Sequence, residues 1–420
     1  MMRLRNVSGK CSKRLHLTDS HHRMIGWGES FYVHPNPEGD LMLPKLVHID
    51  FNITSACNFA CAHCHCASGR RNPGELSTDR VLQVIEEAGE LNVISMAIAG
   101  GEPFIRPDVY DILSHAASLR KMSVAIITNG SLLRSGDLAK IADIEPKITL
   151  NISLDGSSWD IFGRLRGRPG ASRQALRAQF RRVSEAVRTA ATFGINTGVN
   201  FTFTNESLED LDNLYKFATT ELGATAVVGI KFFPSGVGKQ NSARLDVPWG
   251  RWSSFLIDIT RKKLAGDYEL LQISLPSAWE FYLPLIQAGV DIDAAEEVWN
   301  NRSPLRHREF ASRRDLGDPL GDSQLAVGED GILYPSVLLV GERSFACGDL
   351  KTGSLRDFWL QDDLLRRIRA IKVRDLDAKC AGCPIVAICG GGSRVRAYYQ
   401  CGSLTGEDSA CPIMHSKAWE

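Results

Sequence analysis

The sequence lacks a surplus of charge of either sign. Its 420 residues include 49 Lys or Arg and 49 Asp or Glu, so the formal net charge at pH 7 is zero. Proteins that bind nucleic acid or an anionic membrane generally carry a basic surplus. We therefore expect no nucleic acid and no membrane among the partners.

Long apolar runs are also missing. No stretch of about 18 apolar residues, long enough to span a bilayer, occurs in the sequence. The first residues contain no continuous apolar segment of the kind found in a secretory signal peptide. The expected location is therefore the cytoplasm.

Cysteine is absent between Ala67 and Ala346, although the chain contains 11 cysteines. An odd number of cysteines without an export signal fits metal binding or redox chemistry better than a set of disulfides. Apart from Cys11, the cysteines form an N-terminal group and a C-terminal group. We therefore expect metal or redox sites in these two parts of the chain.

The N-terminal group contains Cys57, Cys61 and Cys64, spaced by four and three residues after the strand-like run 46–53. Three thiolates on one loop can bind three irons of a cubane iron–sulfur cluster and leave the fourth iron open. A structural zinc site is normally closed by four ligands, and His63 or His65 could supply the fourth. From these residues alone, both kinds of site remain open.

Strand-like and helix-like segments alternate from residue 46 onward. After the first strand, the predicted strands are 94–99, 124–127, 148–154, 197–203 and 226–233. The predicted helices are 77–90, 107–119, 138–144, 173–193 and 208–222. This alternation predicts an α/β fold, a partial (β/α)6 barrel of TIM type with parallel strands. Chemistry in such barrels gathers at the C-terminal ends of the strands.

Short polar motifs lie at these predicted strand ends. They are Gly100-Gly101-Glu102-Pro103, Thr128-Asn129, and Ser153 with Asp155. A basic loop further along the chain, 164–168, contains Arg166. Glycine lets a backbone approach a ligand closely, and an arginine can pair with a carboxylate through two hydrogen bonds. Each motif by itself is also compatible with an ordinary turn or a solvated loop.

In this order, the cysteine spacing and the motifs resemble those of the radical S-adenosylmethionine (SAM) enzymes, over about residues 47–411. The resemblance implies that Cys57, Cys61 and Cys64 hold a 4Fe–4S cluster that binds S-adenosyl-L-methionine. One electron, from a donor such as flavodoxin or ferredoxin, would cleave this cofactor to a 5′-deoxyadenosyl radical that abstracts a substrate hydrogen atom. The implied cofactor-binding residues are Gly100, Gly101, Glu102, Pro103, Thr128, Asn129, Ser153, Asp155 and Arg166.

The C-terminal part resembles the SPASM extension, which usually binds two auxiliary cubane clusters. The resemblance implies one auxiliary 4Fe–4S cluster, with the ligands Cys380, Cys383, Cys389 and Cys411. Ser336 and Ser393 stand where the full pattern has cysteines, so the second auxiliary cluster is expected to be lost. A hairpin is predicted over 325–334, with its turn at Asp330-Gly331, and a helix is predicted over 354–371.

Several alternatives remain for the cysteines. The four C-terminal cysteines would also make a tetrahedral zinc site, and Cys401 could replace Cys411. Cys347 could donate a hydrogen atom or simply be buried, and Cys66 is expected to be a bystander beside the cluster loop. The role of Cys11 is open.

The chain is divided into four predicted parts: an N-terminal segment (1–45), a radical SAM partial barrel (46–238), a linking helical region (239–322) and a SPASM-like auxiliary-cluster domain (323–420). The resemblance favours maturation of a ribosomally made peptide. One alternative is a dehydrogenase, epimerase or decarboxylase acting on a sugar or nucleoside in natural-product biosynthesis. Another is a zinc-stabilised binding protein without enzyme activity. The substrate is therefore expected to be a peptide or a small molecule.

Overall fold

The computed structural model describes residues 44–144, 148–301 and 316–415. Except for its last two positions, the predicted N-terminal segment lies outside the described residues, and so does Cys11. Within the described part of the chain, a single long sheet connects the predicted barrel with the C-terminal region.

Nine strands form this sheet across the described residues, and all neighbouring pairs are parallel except β8 and β9. The order β7-β6-β5-β4-β3-β2-β1-β8-β9 leaves the sheet open, with β7 and β9 at its edges. The predicted α/β class and the open parallel sheet are confirmed. The strands are β1 (His48–Asn52), β2 (Ser95–Ala99), β3 (Ser123–Thr128), β4 (Thr149–Ser153), β5 (Asn196–Phe203), β6 (Ala226–Lys231), β7 (Leu271–Ser274), β8 (Gln324–Val327) and β9 (Leu333–Tyr334).

Three strands were not expected in the barrel sheet. β7 is four residues long and lies in the region predicted to be a helical linker, and such a short run cannot be distinguished from a loop by its pattern. β8 pairs in parallel with β1, beginning at His48 opposite Gln324, so the start of the C-terminal region completes the barrel sheet. The antiparallel β8–β9 hairpin turns through Gly331, whose φ of +86° favours glycine, and the predicted turn is confirmed.

Helices connect the strands and pack against the sheet through an apolar core. The first begins after Ser77, whose Oγ accepts a hydrogen bond from the Arg80 N–H at 3.3 Å. Among the described residues, the α-helices are α1 (Thr78–Glu90), α2 (Val109–Ser118), α3 (Ser135–Ala142), α4 (Trp159–Arg166), α5 (Arg173–Thr192), α6 (Leu211–Lys216), α7 (Ser242–Leu245), α8 (Trp249–Leu264), α9 (Trp279–Gln287), α10 (Ile292–Trp299), α11 (Leu355–Gln361), α12 (Asp363–Ala370), α13 (Ala378–Ala381), α14 (Val386–Cys389) and α15 (Arg394–Cys401).

The helix predicted over 354–371 was wrong in one respect, because it is two helices. Asp362 has an extended backbone between α11 and α12, and its carboxylate accepts a hydrogen bond from the Leu365 N–H at 2.9 Å. An aspartate in this position caps a new helix and ends the previous one.

Alternation along β1 separates the core from a polar interior. Ile49 and Phe51 belong to the apolar core, whereas His48 and Asp50 line a cavity on the opposite face of the sheet.

Within the described ranges, no helix is both long enough and apolar enough to cross a membrane.

Candidate active site

A cavity of about 940 Å³ lies on the face of the sheet that carries His48 and Asp50. Its wall combines the loop of Cys57, the C-terminal ends of the barrel strands and part of the C-terminal region. Of the predicted cofactor-binding and N-terminal metal-binding residues, those that line the cavity are Cys57, Cys61, Cys64, Gly100, Gly101, Thr128, Asn129, Ser153 and Arg166.

The cysteine loop is fixed to its surroundings by backbone hydrogen bonds. The Cys57 N–H donates to the Gly69 carbonyl at 2.9 Å, and the Ala62 N–H donates to the Leu165 carbonyl of α4 at 2.8 Å. These bonds hold the loop against both its own return segment and the helix that carries Arg166. The three cysteines therefore face one cavity from a fixed backbone.

Burial favours the protonated form of two thiols of this loop, Cys57 and Cys61. Burial raises the pKa of Cys57 and raises that of Cys61 to about 12, although the Arg166 guanidinium opposes both shifts. The Arg166 Nη1 donates to the Cys61 sulfur at 3.8 Å. Three thiols that line one cavity fit a metal group, because metal binding stabilises the thiolates that burial disfavours, and the Arg166 cation also favours the thiolates.

The glycines of the second motif have a packing role. A Cβ on Gly100 would lie 2.3 Å from the Thr54 carbonyl oxygen, and a Cβ on Gly101 would lie 2.1 Å from the Ala56 carbonyl oxygen. The Gly101 N–H instead donates to the Thr54 carbonyl at 2.7 Å. The absence of side chains thus lets the loop after β2 lie directly against the start of the cysteine loop.

Glu102 is fully buried, and its carboxylate is occupied by groups of the protein. It accepts hydrogen bonds from the Thr128 hydroxyl (2.7 Å), the Asn129 N–H (2.7 Å) and the Phe104 N–H (3.1 Å). Burial raises its pKa. Glu102 and the buried Pro103 lie behind the cavity wall, so they position the loop after β2 against the end of β3.

Asn129 links the end of β3 to the cysteine loop. Its amide nitrogen donates to the Asn58 side-chain oxygen at 2.8 Å, and the Asn58 nitrogen donates to the Ser131 hydroxyl at 2.9 Å. Thr128 and Asn129 therefore contribute to the cavity wall while they also brace the loop that carries the cysteines.

Asp155 is the buried partner of Arg166 and His63. The Arg166 Nε donates to its carboxylate at 2.5 Å, and the His63 Nε2 lies 3.2 Å from the same oxygen. Burial opposes ionisation of Asp155, but the Arg166 and His63 contacts outweigh it and hold the pKa well below its usual value. Asp155 thereby orients Arg166 toward the cavity, whereas Arg164 and Arg168 are exposed and do not line it.

A second buried arginine fixes the segment that follows the glycine motif. Arg106 donates to Asp108 through Nε (2.9 Å) and Nη2 (2.5 Å), and its Nη1 donates to the Ile53 and Leu76 carbonyls. The Thr78 hydroxyl also donates to Asp108, at 2.6 Å. Because Asp108 is committed to these bonds, α2 begins at Val109 and not at the predicted Pro107.

We predict that Asp108→Asn lowers the free energy of unfolding by about 1–3 kcal/mol at pH 7, as expected for hydrogen bonds to a charged group. Burial opposes ionisation of Asp108, but the bonds from Arg106 and Thr78 lower its pKa overall. The stabilisation is therefore present above the unfolded-state pKa of about 3.9 and is lost as the pH falls through the lower folded-state value. Thermal midpoints across pH 2–7 should fall more steeply for the wild type than for this variant.

The matched control is Asp363→Asn, because the Asp363 side chain is 87% exposed. Parallel acid profiles for the wild type and Asp108→Asn would contradict the assignment of this pH dependence to Asp108.

The cavity also contains polar groups that the sequence reasoning missed. The His48 Nδ1 lies 2.7 Å from the Ser95 hydroxyl, and the His48 Nε2 lies 3.3 Å from the Asp50 carboxylate. All three residues line the cavity. The available signal was the alternation on β1, which places His48 and Asp50 on the face opposite the apolar Ile49.

The four C-terminal cysteines line a second, small cavity that adjoins the first, since Cys389 lines both. It is lined by Cys380, Cys383, Cys389 and Cys411 together with Trp279 and Asp408. Cys401 is exposed and lies apart from this group. Cys347 is fully buried in the main core, and burial raises its pKa.

Ser336 and Ser393, the two serines of the C-terminal pattern, face the cavity of about 940 Å³, here called the central cavity. The Ser336 hydroxyl accepts from the Leu338 N–H and the Ser393 hydroxyl accepts from the Arg396 N–H, both at 3.3 Å, so each starts a helical turn. Both residues line the cavity. These positions therefore hold capping side chains in place of thiolates.

A network of buried charged side chains connects the two cavities. The Arg396 guanidinium donates to Glu280 at 2.8 Å and to Asp408 at 3.1 Å, and the Lys231 ammonium lies 3.3 Å from Glu280. Lys231 lines the central cavity and Asp408 lines the cysteine cavity. The Trp279 indole also donates to Asp408, at 2.9 Å. The network ties β6, α9 and α15 into one rigid connection.

Comparison with protein families gives a match to the Radical SAM superfamily over residues 51–218. The chain is 28% identical over 383 residues to the pre-heme d1 synthase of Dinoroseobacter shibae, covering 88% of this chain and 86% of that protein. It is 26% identical over 377 residues to the mycofactocin maturase MftC of Mycobacterium tuberculosis, covering 88% of this chain and 83% of that protein.

Among solved structures, the fold is similar to SuiB of Streptococcus suis bound to the precursor peptide SuiA. The TM-score is 0.66, and the similarity covers 91% of this chain and 84% of that chain at 18% sequence identity. This likeness shows a shared fold that includes the C-terminal region.

Proposed function

Because this chain is a radical SAM superfamily enzyme, we propose that it abstracts a hydrogen atom from a peptide during maturation of a ribosomally made product. The observation that carries the proposal is the single cavity of about 940 Å³, which runs from the cysteine loop to Val337 and Ile388 of the C-terminal region. Pockets for small ligands have volumes of roughly 300–1,000 Å³. The cavity therefore has room for a substrate side chain beside a nucleotide-sized cofactor.

The family implies S-adenosyl-L-methionine and a 4Fe–4S cluster, and the described residues fit both. Cys57, Cys61 and Cys64 would hold the cluster, which when bound would supply the electron for reductive cleavage of the cofactor. The cofactor itself would contact the cavity-lining members of the predicted set, which are Gly100, Gly101, Thr128, Asn129, Ser153 and Arg166.

The protein's own contribution is to orient these groups and to exclude water. Asp155 aims Arg166, whose guanidinium can pair with a carboxylate. Glu102 holds the ends of β2 and β3 together behind the wall. Apolar side chains, including Phe232, Phe233 and Phe281, line the region beyond the cysteine loop and protect a reactive radical from solvent.

A peptide is the preferred substrate because the relative MftC is named a mycofactocin maturase and the structurally similar SuiB was solved with a precursor peptide. The second candidate is a step in heme synthesis, since the relative from Dinoroseobacter shibae is named a pre-heme d1 synthase. The observation that favours this second candidate is the aromatic content of the cavity lining, which includes Phe232, Phe233, Phe281 and Tyr282.

We also propose that Cys380, Cys383, Cys389 and Cys411 hold one auxiliary 4Fe–4S cluster. All four line one cavity together with Trp279 and Asp408, and their thiols would supply the four ligands that a cubane cluster needs. A tetrahedral zinc site with the same four ligands is the alternative.

The test uses protein reconstituted without oxygen and incubated with S-adenosylmethionine, dithionite and candidate short peptides encoded beside its gene. We expect 5′-deoxyadenosine together with a mass change in one peptide, and about eight irons per chain. About four irons with one zinc would replace the auxiliary cluster by a structural zinc. Cofactor cleavage that is coupled to a heme precursor or a sugar, with every peptide unchanged, would overturn peptide maturation.

A further inference from the structure

Positive charge is concentrated beside the cysteine loop. Between residues 164 and 188 the chain has eight arginines, no lysine and one acidic residue, Glu185, although the whole protein has no net charge. Every one of these arginines except Arg166 is exposed. The exposed set, here called the arginine face, is Arg164, Arg168, Arg173, Arg177, Arg181, Arg182 and Arg188.

Arg188 pairs with Glu185 at 2.8 Å and Arg164 pairs with Asp160 at 3.5 Å, but other members of the arginine face oppose the stability of α5. Arg173, Arg177 and Arg181 follow one another at four-residue intervals on α5, and like charges at this spacing repel. Arg173 also occupies the first turn, where the helix dipole favours an acidic residue, and that turn contains none. A feature that opposes helix stability at several positions is better explained by a partner than by folding.

The face adjoins the loop that would hold the cluster. The Arg168 Nη2 donates to the carbonyl of Asn58, between Cys57 and Cys61, at 3.2 Å. The Leu165 carbonyl accepts from the Ala62 N–H of the same loop at 2.8 Å. The end of the arginine face formed by Arg164 and Arg168 therefore lies beside the Cys57–Cys64 loop, and a protein seated on the face would reach that loop there.

We propose that the arginine face is the docking surface for an acidic one-electron carrier protein of the flavodoxin or ferredoxin class. This inference rests on the proposed function, which requires one electron for each cofactor cleaved. Charge complementarity carries the choice of occupant, because an acidic carrier is attracted to a local basic surface on an otherwise neutral protein. The carrier would give up one electron to the cluster and be oxidised by one electron itself.

The experiment compares Arg173→Glu/Arg181→Glu with Arg366→Glu/Arg374→Glu. The second pair is exposed in the C-terminal region, and both variants change the net charge by the same amount. Arg177 is left in place because its guanidinium lies over the Trp159 ring at 4.7 Å and joins α5 to α4. Glutamate is a good helix former, and at position 173 it suits the helix dipole, so both proteins should fold.

Two readouts are measured with a purified, negatively charged FMN flavodoxin. The first is its binding to the chain at about 50 mM and 200 mM NaCl, which does not depend on activity. The second is the rate of 5′-deoxyadenosine formation driven by flavodoxin, its reductase and NADPH, compared with the rate driven by dithionite. For Arg173→Glu/Arg181→Glu at low salt, we expect affinity and flavodoxin-driven rate to fall at least about tenfold. The dithionite-driven rate should be unchanged.

The C-terminal variant should stay within about twofold of the wild type in every measurement, since it lies outside the arginine face. Equal losses in both variants, or unchanged flavodoxin binding in the first, would overturn the docking surface. The docking surface would also be overturned if Arg173→Glu/Arg181→Glu abolished binding of an RNA or DNA oligonucleotide but left flavodoxin binding unchanged. Absence of dithionite-driven cleavage in the wild type counts against the proposed function instead, and the binding measurement still decides the docking surface.

Discussion

Replacing Cys61 by alanine should reduce cleavage of S-adenosylmethionine by at least about 1,000-fold, a barrier increase of about 4 kcal/mol. Cys57→Ala and Cys64→Ala should have the same effect. The reason is that each cysteine is one of three thiolates proposed to hold the cluster that supplies the electron. The measurements are 5′-deoxyadenosine formation with dithionite and iron per chain after anaerobic reconstitution, which should fall by about four irons.

Cys66→Ala is the matched control, because Cys66 is a thiol of the same loop region that accepts only a weak 3.7 Å contact from Asn52 and lies 3.0 Å from the His65 ring. This variant should keep its iron and its cleavage activity. Wild-type cleavage in Cys61→Ala, or loss of iron in Cys66→Ala, would mean that the cluster ligands are assigned incorrectly.

Of the substitutions proposed, replacement of Arg396 should lower the free energy of unfolding the most. Glu280 and Asp408 are both buried, and Arg396→Leu would leave their charges without their main partner. Breaking a buried ion pair from one side costs about 3–5 kcal/mol. For a chain of 420 residues, the thermal midpoint should fall by roughly 3–6 °C.

Two further variants separate charge from packing. Arg374→Leu is the control, because the Arg374 side chain is 83% exposed and should shift the midpoint little. Adding Glu280→Leu to Arg396→Leu should restore part of the loss, since one unpaired carboxylate is removed, although Lys231 then loses its own partner. A midpoint within about 2 °C of the wild type for Arg396→Leu would show that water solvates these carboxylates.

The resemblance to radical SAM enzymes is confirmed, and the alternative of a binding protein without enzyme activity was wrong. Family and fold were readable because their signals are local: cysteine spacing, glycines at strand ends and alternating strands and helices. The roles of residues that depend on tertiary contacts could be predicted less well from the sequence. Glu102 was expected to contact the cofactor, but whether its carboxylate reaches a ligand or the Thr128 hydroxyl depends on how two loops pack.

The C-terminal region shows the same division between local and tertiary signals. Sequence spacing favoured Cys411 over Cys401, and the structure groups Cys411 with the other three cysteines. The assignment of these residues as cluster ligands stays a prediction, as do the domain boundaries. The pairing of β8 with β1 had no local signal, because nothing within Gln324–Val327 specifies which strand of the barrel it joins.

That pairing affects how the protein is made. β1 lies between β2 and β8, and residue 48 leaves the ribosome long before residue 324 is translated. At about 5–20 residues per second, one edge of β1 waits for roughly tens of seconds. During that interval it exposes unpaired backbone groups of the kind that recruit other chains. A truncated protein ending before β8 would keep this edge of β1 exposed, so assembly of the complete sheet depends on the last quarter of the chain.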